Sequence, residues 1–277
     1  LFLDHFYGKY FLEEELSTKE SNTSPSFLNK VKNVEYHENA INFSTFIGGS
    51  GYEEPASIIQ DIDNNYIICG HTSSFDFPVS TDAFDTVYNE GDAVIIKIDR
   101  NGKKILTCSF LGGSEFDSAN SIIIDGRNII ISGRTTSDDF PNSEYSFDSN
   151  LNGRDDMFIS ELDNNLSTLI SSTYFGGNGN DFGVASGLFD NYIVLSGSTN
   201  SEDFPITEDA FQNNKNAISD SYDAFITLFD IDNMSLNYST YIGGSENDQG
   251  AVAELDNNFI FIGGDTRSSD LYYDDSS

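Results

Sequence analysis

The chain has 277 residues, enough to bury a core without help from disulfides or metals. Its 46 Asp and Glu against 13 Lys and Arg give a formal charge of −33, which repels phosphate backbones and anionic lipid and excludes nucleic acid as a partner. No apolar run approaches the roughly 20 residues that a membrane-spanning helix needs, so no transmembrane segment is expected.

The opening stretch, LFLDHFYGKYFLEEELSTKE, has no basic start, and acids interrupt its apolar residues, so it does not read as a signal peptide. Residues 1–36 form a segment without a readable role, and the missing initiator Met suggests a fragment of a longer protein. From residue 37 on, short runs rich in Ile, Val, Phe and Tyr are separated by Gly, Asn, Asp and Ser, which predicts strands and turns. A strand over 41–48 comes first, read as the closing strand of a preceding unit. Four more follow: ASIIQDI, NYIICGHT, DAVIIKID and KILTCSFLG. The turns DNN and DRNG are tight, as in hairpins, whereas the connection from Thr72 to Asp92 is long.

The same order then repeats. Glycine pairs stand at Gly48–Gly49, Gly112–Gly113, Gly176–Gly177 and Gly243–Gly244, and their second members are 64, 64 and 67 residues apart. An acid follows each pair at a fixed offset: Glu53, Asp117, Asp181 and Asp248. Further on come Asp-Phe-Pro triplets centred on Phe77, Phe140 and Phe204, with Asp270-Leu271-Tyr272 in the fourth register. Four antiparallel strands at this period, without helical periodicity, predict an all-β fold of β-propeller blades. Complete blades are expected at about 50–112, 114–176 and 178–243, with a partial blade over 245–277. Three blades and remnants make an incomplete ring, with exposed strand edges and apolar faces.

The run YSTYIGGSENDQG…FIFIGG, together with TNSEDFPITEDAFQ and DAFITLFD, resembles the SBBP (seven-bladed β-propeller) repeat of bacterial and archaeal proteins. That pattern is approximately S-T-Y-L-G-G-S-x-x-D, a strand pair, T-x-S-x-D-F-P, and a later D-A-F. The resemblance covers residues 41 to about 272. Glu53 departs from it in place of Asp, as do EYSF in place of D-A-F and Leu271-Tyr272 in place of Phe-Pro. It implies an extracellular or cell-surface protein in which the propeller is a scaffold or binding module, and it supplies no catalytic residues.

Strand parity puts the glycine-pair loops and the Asp-Phe-Pro loops on one face, the natural surface for recognition. Positions that repeat in every copy are read as structural, because each copy solves the same packing problem. The glycines allow close backbone approach, and the following acid caps a turn. A phosphate cradle would need a helix behind the glycines and a welcoming charge, and neither is present. Function is sought where copies differ: His71, Arg134, Ser198 and Asp265, which precede the same Thr, and the unequal tail NNKNAISDSY of the third Asp-Phe-Pro loop.

Other candidates are weaker. Asp61, Asp63 and Asn65 have the alternating oxygens of a calcium loop but no distal Glu. Cys69 and Cys108 fall on the second and fourth strands of one blade, too far apart for a disulfide. Three histidines without matched partners give no catalytic constellation, and no cofactor is implied. The leading expectation is a non-catalytic interaction module that binds a protein, a carbohydrate or neighbouring domains of its own chain. The alternatives are a propeller enzyme acting on polysaccharide and a calcium-stabilised surface array.

Overall fold

In a computed structural model of the protein, residues 44–218, 220–256 and 259–271 are described. The apolar runs form three four-stranded sheets and one strand pair. The first sheet holds β1 (Glu53–Gln60), β2 (Tyr66–Thr72), β3 (Asp92–Ile98) and β4 (Ile105–Leu111). The second holds β5 (Asp117–Asp125), β6 (Asn128–Thr135), β7 (Asp156–Leu162) and β8 (Leu169–Phe175). The third holds β9 (Asp181–Phe189), β10 (Tyr192–Thr199), β11 (Asp223–Asp230) and β12 (Ser235–Ile242), and the last pair is β13 (Asp248–Asp256) with β14 (Phe259–Thr266). In every sheet the strands lie in chain order, each antiparallel to the next. No helix occurs among the described residues.

All four strands expected in the first copy form, the first of them beginning earlier, at Glu53. The strand expected over 41–48 does not: residues 44–49 have no strand pairing, and 41–43 lie outside the described residues. The boundary expected at 36/37 also lies outside them.

Because side chains alternate along a strand, each sheet offers two faces, and the middle sheet buries both. Ile129, Ile131 and Phe158 join Ile67, Ile95 and Leu111 of the first sheet in one cluster. Their neighbours Ile130, Met157, Ile159 and Phe175 point the other way and pack on Ile193, Leu195 and Phe225 of the third. This is why β7 is buried along its whole length while β1 alternates. Leu166 and Met234, both at positive φ (56° and 47°), close equivalent hairpins and plug these clusters at their rims. Burying their apolar side chains offsets the cost of a left-handed backbone.

The second strand of the first, second and fourth copies carries a glycine beside which the first strand bulges; in the third the slip lies further along, between Val194 and Leu195. A Cβ on Gly133 would lie under 3.0 Å from the Ser118 carbonyl oxygen and from the Phe158 ring, beside the register slip between Ala119 and Ser121. Gly70, Gly197 and Gly264 meet the carbonyls of Glu54, Phe182 and Gln249 in the same way. Gly133→Ala is therefore expected to cost about 2 kcal/mol through overpacking. Denaturant unfolding checks this, and an unchanged midpoint would show that the bulge gives way freely.

Candidate functional site

The repeated motifs bond to one another. The backbone N–H groups of Ser50, Ser114, Asn178 and Ser245 donate to Oδ1 of Asp76, Asp139, Asp203 and Asp270, at 2.8, 2.7, 2.8 and 2.9 Å. The acid after each glycine pair closes the loop from below. Oδ2 of Asp117 accepts the Gly113 N–H at 2.7 Å and the Ser137 hydroxyl at 2.9 Å, and Asp181 and Asp248 repeat this with Gly177 and Ser201, and with Gly244 and Ser268. Glu53, longer by one methylene, reaches the Gly49 N–H at 3.2 Å and also accepts from Ser74. The second glycine of each pair is required by crowding: a Cβ on Gly113 would lie under 3.0 Å from Asp139 Oδ1 and the Ser137 Cβ. Phe77, Phe140 and Phe204 of the Asp-Phe-Pro triplets are buried beneath these loops.

The first glycines serve a different contact. A Cβ on Gly112 would lie under 3.0 Å from carboxylate oxygens of both Asp92 and Asp117, and one on Gly176 would meet Asp156 and Asp181. Two buried carboxyls therefore face each other where the first sheet meets the second and where the second meets the third. Burial is the main cause that pushes Asp92 and Asp156 up to about 7 and Asp117 to about 6; the repulsion of a neighbouring carboxyl adds to it. Asp181 and Asp223 are raised for the same leading reason. These pairs have the raised values of catalytic acids, but all of these residues are fully buried and no substrate reaches them.

Of the four varying positions, the structure brings two together. His71 and Arg134 line one cleft of about 390 Å³ at the joint of the first two sheets, with Glu54, Ser118 and Asn120. Ser198 is buried on β10, and Asp265, exposed on β14, lines a separate groove. Phe116 connects the first two. His71 meets its ring edge-on at 5.2 Å, and the Arg134 guanidinium lies over it at 5.2 Å. Phe182 covers the guanidinium from the other side at 5.4 Å and contacts Tyr222 beyond, at 5.9 Å. Tyr52 extends the row past His71, at 5.7 Å.

Charge fixes the two ends of this row. Arg134 Nε lies 2.8 Å from Asp155 Oδ1; the N–H is not aligned for a hydrogen bond, so the contact is charge pairing over two aromatic faces. Burial holds the His71 imidazole below its usual range, against the opposing pull of Glu54 and Glu53. It is thus neutral at neutral pH, and the Glu54 carboxylate 4.0 Å away is a polar neighbour rather than an ion-pair partner. Phe116, Phe182, Tyr52 and Asp155 were not singled out from sequence. The three aromatics carry one signal, a place beside the repeated acid, before Glu53 and Asp117 but after Asp181; Asp155 carries none.

The calcium candidate is otherwise engaged. Asp61 Oδ1 accepts the N–H groups of Asp63 and Asn65 at 2.9 and 2.8 Å, and Oδ2 meets the Lys97 ammonium at 2.9 Å. A fixed cation already sits where the metal would. No group of three or more His, Cys, Asp or Glu suited to a metal occurs among the described residues. Cys69 and Cys108 are free and buried on β2 and β4, with β3 between them, and burial pushes both thiols up to about 12. No protein-family model matches the chain, and no curated protein is significantly similar to it.

Proposed function

We propose that this chain is part of a β-propeller of the SBBP-repeat kind, an extracellular or cell-surface interaction module without catalysis that binds a carbohydrate on its loop face. The repeating sheets, stacked in chain order, support the propeller reading. So does the way β5 and β9 each pack on the first two strands of the sheet before. The observation that carries the binding reading is the cleft of His71 and Arg134. It gathers Glu54, His71, Ser118, Asn120 and Arg134 beside the glycine-pair loops, a mixture of donors and acceptors that suits a hydroxyl-rich ligand. With His71 neutral and Arg134 already paired to Asp155, the local charge favours an uncharged sugar over an acidic one.

The test is an array of neutral and acidic oligosaccharides probed with the wild-type chain, Arg134→Ala and Ser118→Ala/Asn120→Ala. Neutral glycans should be retained, with apparent affinity falling about tenfold in each variant, on the order of 1.4 kcal/mol. An array with no retained glycan, or binding indifferent to both variants, removes the reading.

A further inference from the structure

At the joint of the first two sheets, a carboxylate of one sheet and a carboxamide of the other converge on a buried amine. Lys97 stands on the face of β3 that carries Ala93 and Ile95, and these belong to the apolar cluster shared with Ile129, Leu162 and Leu166 of the second sheet. Lys97 is 5% exposed; its Nζ lies 2.9 Å from Asp61 Oδ2 and donates to Asn164 Oδ1 at 2.6 Å. With a C=O bond of about 1.2 Å, Nζ is no more than about 3.8 Å from the Asn164 carboxamide carbon, against about 3–3.5 Å in a near-attack geometry.

The segment that carries Asn164 is held in place by contacts outside this group. The Thr107 hydroxyl donates to the Asn165 carbonyl at 2.9 Å, and the Phe84 N–H donates to the Leu166 carbonyl at 2.7 Å. Thr107 is the residue opposite Lys97 on β4. Nζ itself also donates to the Asn164 carbonyl, at 3.2 Å. The first sheet thus grips the β7–β8 hairpin along three successive residues, and amine and carboxamide meet with little freedom left to lose. The next joint stacks without such a set. One period on, Glu161 and Ile231 occupy the places of Lys97 and Asn164, and Ile231 packs in an apolar cluster.

We propose that Lys97 and Asn164 condense into an isopeptide bond that cross-links the first two sheets, with Asp61 as the catalytic acid and base. Asp61 takes a proton from the Lys97 ammonium, and the freed electron pair of Nζ forms a bond to Cγ of Asn164. The Asp61 carboxyl passes that proton to Nδ2, and the Cγ–Nδ2 bond breaks with its electron pair on the departing ammonia. The second proton that Nζ gives up leaves with the ammonia as ammonium, so Asp61 ends as a carboxylate and nothing is oxidised or reduced. The contacts above are those of the unreacted chain, in which the charge pair ties the joint; in the condensed chain the amide ties it. This inference does not rest on the carbohydrate reading, and either can fail alone.

The test is the intact mass of the folded, purified chain. Wild type is expected one ammonia lighter than its sequence mass. Its tryptic digest should contain a branched peptide that joins the segment around Lys97 to that around Asn164 and is uncut after Lys97. Asn164→Ala, which leaves the Lys97–Asp61 pair in place, should keep the full sequence mass. So should Asp61→Asn, which leaves both reacting groups; near-ultraviolet circular dichroism checks that each variant is folded. A wild-type chain of full mass that trypsin cuts after Lys97, or an ammonia loss without the branched peptide, overturns the proposal. An Asp61→Asn chain that cross-links as completely as wild type overturns the catalytic part given to Asp61.

Discussion

Lys97→Ala is expected to destabilise the protein by about 3 kcal/mol, more than the removal of any exposed cation. Lys97 is 5% exposed and Asp61 7%, so both charges sit out of water. The ammonium lies 2.9 Å from Asp61 Oδ2 and donates to Oδ1 and the carbonyl oxygen of Asn164, at 2.6 and 3.2 Å. One side chain of β3 thus ties the β1–β2 turn of its own sheet to the β7–β8 hairpin of the next. Removing it leaves a buried carboxylate without its counter-charge, which typically costs 3–5 kcal/mol. The hairpin N–H bonds that Asp61 keeps place the loss at the lower end. The double variant Asp61→Asn/Lys97→Met should recover most of the stability, because it removes both charges and preserves volume. A Lys97→Ala midpoint within about 0.5 kcal/mol of wild type, the scatter of ordinary surface changes, would mean that water reaches the pair.

That position also shows how far the sequence could be read. The order of strands, the hairpins and the period were legible because each copy carries both halves of every recurring contact. The loop N–H groups and Asp76, Asp139, Asp203 and Asp270 always occur together, as do the glycine pairs and the acids that they crowd. Contacts made once were not legible. The residue at the place of Lys97 is Glu161 in β7 and Leu228 in β11, and Glu161 finds its own partners in Asn128 and Ser171. Disagreement between copies therefore marks two different things: an exposed site such as the His71–Arg134 cleft, or a joint solved differently each time. Burial separates them, and burial is not written in the pattern. The cleft itself was half legible. His71 and Arg134 stood out as differing copies of one position. Phe116 and Phe182 did not, because they flank the repeated acid on opposite sides and meet only where two sheets bring them over the same guanidinium.

Stability is expected to be higher at pH 5 than at pH 8, against the usual behaviour of a protein whose acids are paired with bases. The cause is the carboxyl pairs between sheets. A group whose folded pKa lies above its unfolded value, near 3.8 for Asp, holds more protons in the folded state. Its contribution to stability falls as pH rises from about 4 and levels off above the folded pKa. For Asp92 and Asp156 that ceiling is about 7, and for Asp117 about 6. Asp61, Asp76, Asp99 and Asp163 act in the opposite sense. Their folded values are lowered, and the stability they supply is lost as pH falls below about 4. The two sets leave a maximum between roughly pH 4 and 6, and the excess negative charge steepens the alkaline side. Asp92→Asn isolates one pair. Oδ2 of Asp92 accepts the Asn89 N–H at 2.8 Å, and its Oδ1, which has no hydrogen-bond partner, faces the Asp117 side. An amide oriented this way keeps the first bond and turns a donor toward Asp117. The variant should gain on the order of 2 kcal/mol at pH 8, roughly 5 °C in the melting midpoint, and little at pH 5. A wild-type midpoint that climbs from pH 5 to pH 8, or an Asp92→Asn gain equal at both, would show that these acids stay charged in the folded protein.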